Sequence, residues 1–211
     1  ETDIGFDTYY RNIEFFDEDN GIVTSLNQHH FKTDDGGESW TRFQFPGNLN
    51  AVCGLSVVNS TTMYGCGAFN TPAFVVKTTD GGDTWEVIDM SIYATALVEV
   101  QFLDENLGYA SGSNDNGGIV LRTTDGGTTW TELFNSNIPG EYVWKLQFVQ
   151  NDPNVIFGSI ESVPSEGGKI IKSFDTGATW ESKSVPIQVV QSVGFINPNR
   201  GWAGGHTNQL F

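Results

Sequence analysis

The chain has 211 residues, of which 26 are Asp or Glu and 10 are Lys or Arg, giving a formal net charge of −16. Nucleic acid and anionic lipid are both held through clustered Lys and Arg, so this charge excludes them as partners. No run of 18 apolar residues is present, which excludes a membrane-spanning helix and leaves a Gly-rich, aromatic composition of β type.

The first predicted unit, residues 9–46, opens on the β-rich run Asn12-Ile13-Glu14-Phe15 and turns through Asp17 to Gly21. A second β-rich stretch, a short loop bearing His29-His30 and a third strand then lead into Thr33-Asp34-Asp35-Gly36-Gly37-Glu38-Ser39-Trp40. The second unit, 50–90, turns through Asn59 to Thr62 and ends in Thr78 to Trp85. The third, 97–137, runs from Glu99-Val100-Gln101-Phe102 through Asp104 to Gly108 and on to Thr123 to Trp130. The fourth, 143–186, begins at Lys145-Leu146-Gln147-Phe148, turns through Gln150 to Asn154 and ends in Ser173 to Trp180, with Phe174 and Thr176 as departures. An incomplete fifth, 189–211, carries Ser192-Val193-Gly194-Phe195 and Asn197 to Gly201. It reaches Gln209-Leu210-Phe211 in the register of His30-Phe31-Lys32, Val75-Val76-Lys77 and Val120-Leu121-Arg122. Alternation places Ile13, Val100, Leu146 and Val193 on one face with Phe15, Phe102, Phe148 and Phe195, as core positions packing one unit on the next.

Each unit thus reads strand, turn, strand, loop, strand, S/T-x-D-x-G-x-x-W tract, strand. The tract aspartates stand at 35, 80, 125 and 175, so they are spaced 45, 45 and 50 residues apart. That period is the length of a four-stranded propeller blade. The fold class expected is an all-β propeller of four-stranded antiparallel blades, about four and a half of them in one domain. It is read as part of a larger ring of six or seven, a parent of on the order of 270 to 320 residues. The alternative is five blades, the last completed by Glu1 to Thr8.

Turn chemistry accounts for the tract without any ligand. Gly37, Gly82, Gly127 and Gly177 permit positive φ. The carboxylates of Asp35, Asp80, Asp125 and Asp175 and the hydroxyls of Thr33, Thr78, Thr123 and Ser173 bond the turn. Trp40, Trp85, Trp130 and Trp180 lay their rings over it and begin the outer strand, with the indole N–H finding an acceptor.

These tracts resemble the Asp-box, or bacterial neuraminidase repeat. Paired with the preceding turns, such as 104–112 and 197–205, they are similar to the photosystem II assembly and stability factor family, from about Tyr10 to Phe211. The resemblance implies a propeller; sialidases, xyloglucan-type endoglucanases and sortilin-like receptors share the box, so it leaves the activity open. A sialidase needs a triad of arginines, a Tyr–Glu nucleophile pair and an acid/base Asp. Only Arg11, Arg42, Arg122 and Arg200 are available, and the Arg-Ile-Pro tract is absent. A glycosidase needs two carboxylates across a cleft; none stands out here, and blades beyond this chain would have to help. Thylakoid assembly members use a basic patch, for which this chain is very acidic.

The expected role is therefore a non-catalytic, secreted, periplasmic or cell-surface module that binds a protein or glycan, with a glycoside hydrolase as the alternative. The opening Glu1-Thr2-Asp3 reads either as a mature processed form or as an artificially chosen start. Candidate contacts are residues freed from the repeat. Those at the openings of innermost strands are Arg11, Asn12, Val98, Glu99, Trp144, Lys145, Gln191 and Ser192. Loops between second and third strands supply Phe69, Asn70, Asn114, Asp115, Glu161, Ser165 and His206. Trp144 beside Lys145 and Glu99 is the sharpest of them, as a stacking or anchoring aromatic. Cys53 and Cys66, across one hairpin, are read equally as a disulfide or as two buried thiols. No cofactor is expected; calcium at Asp17-Glu18-Asp19-Asn20 or Asp104-Glu105-Asn106 is weighed below solvated turns. His29-His30 reads as a surface pair.

Overall fold

A computed structural model describes residues 9–68, 72–150 and 152–205. The strands are β1 (Tyr10–Phe15), β2 (Gly21–Ser25), β3 (His30–Thr33), β4 (Thr41–Phe43), β5 (Val52–Val57), β6 (Met63–Gly67), β7 (Phe74–Thr78), β8 (Glu86–Asp89) and β9 (Ala96–Phe102). They continue as β10 (Gly108–Asn114), β11 (Gly117–Thr123), β12 (Thr131–Asn135), β13 (Tyr142–Val149), β14 (Asp152–Glu161), β15 (Lys169–Ser173), β16 (Glu181–Ser184), β17 (Val190–Asn197) and β18 (Arg200–Gly205). Four sheets take the order β1-β2-β3-β4, β5-β6-β7-β8, β9-β10-β11-β12 and β13-β14-β15-β16, and β17-β18 forms a two-stranded fifth. Every described pairing is antiparallel. This is the all-β, four-stranded blade architecture that the period predicts.

The chain divides into two compact units. One comprises the described residues up to Ala110 with Thr123–Trp130; the other comprises Ser111–Arg122 with the described residues from Thr131. The division falls within the third sheet, where the sequence alone suggests a single domain.

In the first unit Phe16, Ile22, Phe45, Val52, Leu55, Met63, Phe74 and Val76 form one core cluster, with Phe43 and Trp85 packed on it. Tyr64 stacks on Phe102 at 3.5 Å between ring centroids, and Phe102 meets Trp130 edge-on at 6.1 Å. Such pairs contribute about 0.5–1.5 kcal/mol beyond area burial. In the second unit Val149, Val155 and Phe157 pack with Ile170, Val193 and Phe195, and Phe157 stacks on Phe195 at 3.6 Å. The recurring Phe also explains a recurring Gly. A Cβ at Gly21, Gly108 or Gly201 would lie 2.8, 2.5 or 2.4 Å from the ring of Phe15, Phe102 or Phe195.

Two expectations are corrected here, and one open alternative, the state of Cys53 and Cys66, is decided in favour of buried thiols. Ile13 is 53% exposed rather than core, although Val23, opposite it on β2, is buried. The outer strands begin one residue after the tract tryptophans, whose indoles are committed to the turn. Cys53 and Cys66 are both buried, free thiols. A register shift between Val52 and Gly54 sets Gly54, not Cys53, opposite Cys66, so the disulfide does not form. Glu1 to Thr8 and Gln209-Leu210-Phe211 lie outside the described residues.

Candidate functional site

Each tract builds the same hydrogen-bonded cage. In the first, the Thr33 hydroxyl donates to Asp35 Oδ1 (2.8 Å) and accepts the N–H groups of Asp35 (3.3 Å) and Gly37 (2.9 Å). Asp35 Oδ1 also accepts the Ser39 N–H (2.9 Å), and Oδ2 accepts the Ser39 hydroxyl (2.6 Å). The same set recurs around Thr78 and Asp80, around Thr123 and Asp125, and around Ser173 and Asp175. The hydroxyls of Ser39, Thr84, Thr129 and Thr179, more than any other bond, hold the four carboxyls down at about 2. Those four hydroxyls were missed in the S/T-x-D-x-G-x-x-W reading, although Ser or Thr in all four copies was the available signal.

The cage glycines Gly37, Gly82, Gly127 and Gly177 have φ of +90°, +86°, +91° and +87°. At the preceding position Gly36, Gly81 and Gly126 are also left-handed, and Thr176 takes φ +58° in the fourth copy, where an L residue is strained. The indoles of Trp85, Trp130 and Trp180 donate to the carbonyls of Gly82, Gly127 and Gly177 at 3.2, 3.1 and 2.9 Å. One backbone bond ties each tract to the first turn of its own blade: Gly36 N–H to Asp19, Gly81 to Thr61, Gly126 to Asn106 and Thr176 to Asn154. Turn and tract recur together because they are bonded together. Within those turns Asp17 and Asp104 accept backbone N–H groups, and these bonds, with the Asn20 side-chain amide leading at Asp17, lower both carboxyls.

The innermost strands repeat in another way. Register shifts lie between Tyr10 and Asn12 in β1, Val52 and Gly54 in β5, Val143 and Lys145 in β13, and Val190 and Ser192 in β17. The residues re-aimed by these bulges are Arg11, Cys53, Trp144 and Gln191. Arg11, Trp144 and Gln191 were expected at strand openings; Cys53 was not, since a buried apolar-looking thiol gives no polar signal. Burial pushes the Cys53 thiol up to about 11, against the pull of the adjacent Arg11 guanidinium. Trp144 is half-buried and stacks on Tyr142 at 5.8 Å. Gln191 donates to Glu161 Oε2 at 2.9 Å.

Several other expected contacts are buried or bonded within the fold. Glu99 is 6% exposed and accepts the Gln101 amide at 2.9 Å, so it is a buried partner of its own strand rather than a surface ligand contact. Glu99 belongs to the first unit, Trp144 and Lys145 to the second. Val98 is buried. Asn12 caps the Ile13 N–H at 2.8 Å. Asn114 accepts the N–H groups of Asn116 and Gly117 and donates to Glu132, which makes it the former of the tight turn that exposes Asp115. Phe69, Asn70 and His206 lie outside the described residues.

The His29-His30 surface reading is overturned. His30 is fully buried against Phe43 and Phe45, and desolvation lowers it to about 4. Sequence reasoning also missed a polar knot in the second unit. Glu141 is fully buried and accepts the Ser162 hydroxyl and the Lys169 ammonium, the latter at 2.5 Å. No motif announces it, because its members come from three separate segments.

Among known proteins, residues 1–93 match the family model described as photosynthesis system II assembly factor YCF48. A structure described as YCF48 bound to D1 peptide is 18% identical, with TM-score 0.52, covering 98% of this chain and 79% of that one. YCF48 from Cyanidioschyzon merolae is 15% identical, with TM-score 0.52, covering 95% and 94%. An ancestral GH74 enzyme is 18% identical, with TM-score 0.71; 93% of this chain is covered, but the chain spans only 27% of the enzyme. Curated protein sequences give no match. The chain is therefore an array of Asp-box propeller blades whose first 93 residues resemble the YCF48 assembly factors.

Proposed function

We propose that this protein is a non-catalytic binding and assembly module, secreted, periplasmic or displayed at the cell surface, whose partner is a protein or a glycan and which uses no cofactor. The observation that carries this reading is the row of bulges. One backbone device opens β1, β5, β13 and β17, yet it presents Arg11, Cys53, Trp144 and Gln191. A scaffold that keeps a geometry while varying the side chain suits recognition. The four box carboxylates support the same reading, since each already accepts bonds from its own turn. A protein partner is favoured because a protein of similar fold is described bound to a peptide.

The test offers immobilised wild-type protein and its Trp144→Ala variant to peptide and glycan arrays, with release of reducing sugar from xyloglucan and of sialic acid measured in parallel. Binding without sugar release, weakened in the variant while the melting profile is kept, is the expected result. Turnover of either glycan would replace this reading with the glycoside hydrolase one.

A further inference from the structure

Within the second unit, the rim where β13 begins and β14 ends brings two aromatic rings and a carboxylate into one group. Tyr142 of β13 lies opposite Glu161 of β14, a placement that holds two Cβ atoms about 4.5–5.5 Å apart. Trp144 takes the extra place in the ladder and stacks on Tyr142, with ring centroids 5.8 Å apart and planes inclined at 26°. From the neighbouring sheet, Gln191 of β17 donates to Glu161 Oε2 at 2.9 Å. All four side chains are half-buried, so each is held by the fold and still reaches solvent.

The group is braced from within. Glu141 and Ser162, the chain neighbours of Tyr142 and Glu161, are buried and joined through the Ser162 hydroxyl. Lys169 binds Glu141 at 2.5 Å, so the ends of both strands are fixed before any partner arrives. Such preorganisation lowers the cost of binding. The brace also consumes a cation that stands close by. Lys169 lies opposite Ile160, beside Glu161, yet its ammonium is turned to Glu141, and Lys145, next to Trp144, is engaged as well. Glu161 is left with a neutral amide as its only side-chain partner among the described residues, whereas each box carboxylate is bonded by its own turn.

The face of an aromatic ring carries negative potential, and a cation set over Trp or Tyr is attracted by it. A carboxylate without a counter-charge beside such rings adds to that preference, in a chain of net charge −16. A neutral sugar would stack on the rings and leave the charge of Glu161 unanswered. A guanidinium uses both, since its plane stacks on aromatic faces and its N–H fork matches a carboxylate. We propose that Tyr142, Trp144 and Glu161 form an arginine-accepting subsite for a basic segment of a protein partner. The guanidinium lies over the indole and donates to Glu161, and Gln191 positions that carboxylate. This rests on the protein-binding reading above and gives the partner a chemistry.

The probe is a short labelled Gly-Ser peptide carrying two arginines, with lysine and glutamate counterparts and a labelled xyloglucan oligosaccharide, each titrated against the full chain by fluorescence anisotropy. The arginine peptide binds, the lysine peptide binds more weakly and the glutamate peptide does not bind. Glu161→Gln, which keeps the shape and removes the charge, weakens the arginine peptide about fivefold, the scale of one exposed ion pair. Trp144→Ala weakens it about tenfold, as loss of a partly desolvated cation–π contact does. Trp202→Ala, which removes a 42% exposed indole on β18, leaves it unchanged. Three results would overturn the proposal: no binding of the arginine peptide, equal binding of the arginine and glutamate peptides, or wild-type affinity in Glu161→Gln. Binding of the glutamate peptide or the oligosaccharide in its place, abolished by Trp144→Ala, would remove the arginine subsite and leave the binding-module reading standing. Cleavage of the oligosaccharide would end both.

Discussion

At the box turns the side chains recur and the backbone follows from them, whereas at the bulges of β1, β5, β13 and β17 the backbone recurs while the side chains change. Thr33, Asp35 and Ser39 have counterparts in every box because each contributes a hydroxyl or carboxylate oxygen that the cage bonds, Ser and Thr serving alike. Arg11, Cys53, Trp144 and Gln191 share only the extra place in the ladder, a backbone feature that names no one residue type. Side chains that recur mark where sequence specifies the fold; side chains that vary on a fixed backbone mark where the fold leaves sequence at liberty.

The sharpest way to break this contrast is to exchange tryptophans. Trp130→Ala removes a buried indole that caps its box and packs on Phe102, and should cost about 3–5 kcal/mol in urea unfolding. Trp144→Ala should cost about 1 kcal/mol, a typical value for a single substitution. Comparable losses would make Trp144 a packing residue. Backbone geometry gives the next effect. Gly82→Ala, at φ +86°, should destabilise by about 1–2 kcal/mol, and Thr176→Gly should stabilise by up to about 1 kcal/mol by relieving φ +58°, both read from denaturation midpoints.

Acid titration sharpens the comparison further. The box carboxyls fall from 3.8 to about 2 on folding, so the unfolded chain takes up their protons first. Their contribution is fully present above about pH 4 and is lost as pH falls towards 2, and Asp80→Asn should flatten that part of the stability profile. His30 adds an earlier slope. It drops from 6.5 to about 4, so stability declines between those values on acidification, and His30→Phe should remove that decline. The smallest effect is expected from Gln191→Ala, which surrenders one bond to Glu161 and should lie within about 0.5 kcal/mol by the same urea measurement.

The fold was largely legible because its determinants are local. The Asp17 and Asp104 turns and the Asp35, Asp80, Asp125 and Asp175 cages are each closed by residues a few places apart, and their spacing exposes the blade period. The candidate site was legible only in part. Trp144 and Gln191 stood out as departures from the repeat, but Cys53 did not. The burial of Glu99 and His30 depends on what neighbouring strands bring over them, which no local pattern encodes. Glu141, Ser162 and Lys169 meet only after three segments converge. Ile13 erred in the opposite direction: it shares the strand alternation of the buried positions, yet it is 53% exposed.

The bond from each box to the first turn of its blade has a consequence for how such chains change length. At the end of each sheet where turn and box meet, the box loops 34–40, 79–85, 124–130 and 174–180 are all equal in length. At the opposite end, the connections 26–29, 68–73, 115–116 and 162–168 are all unequal. Insertions are filtered by the cage and its tether, because an added residue would separate Thr33 from Ser39 or Gly36 from Asp19. Novelty, whether evolved or grafted, is thereby confined to one rim of every blade, and a peptide spliced between β14 and β15 should be carried there without disturbing the repeat.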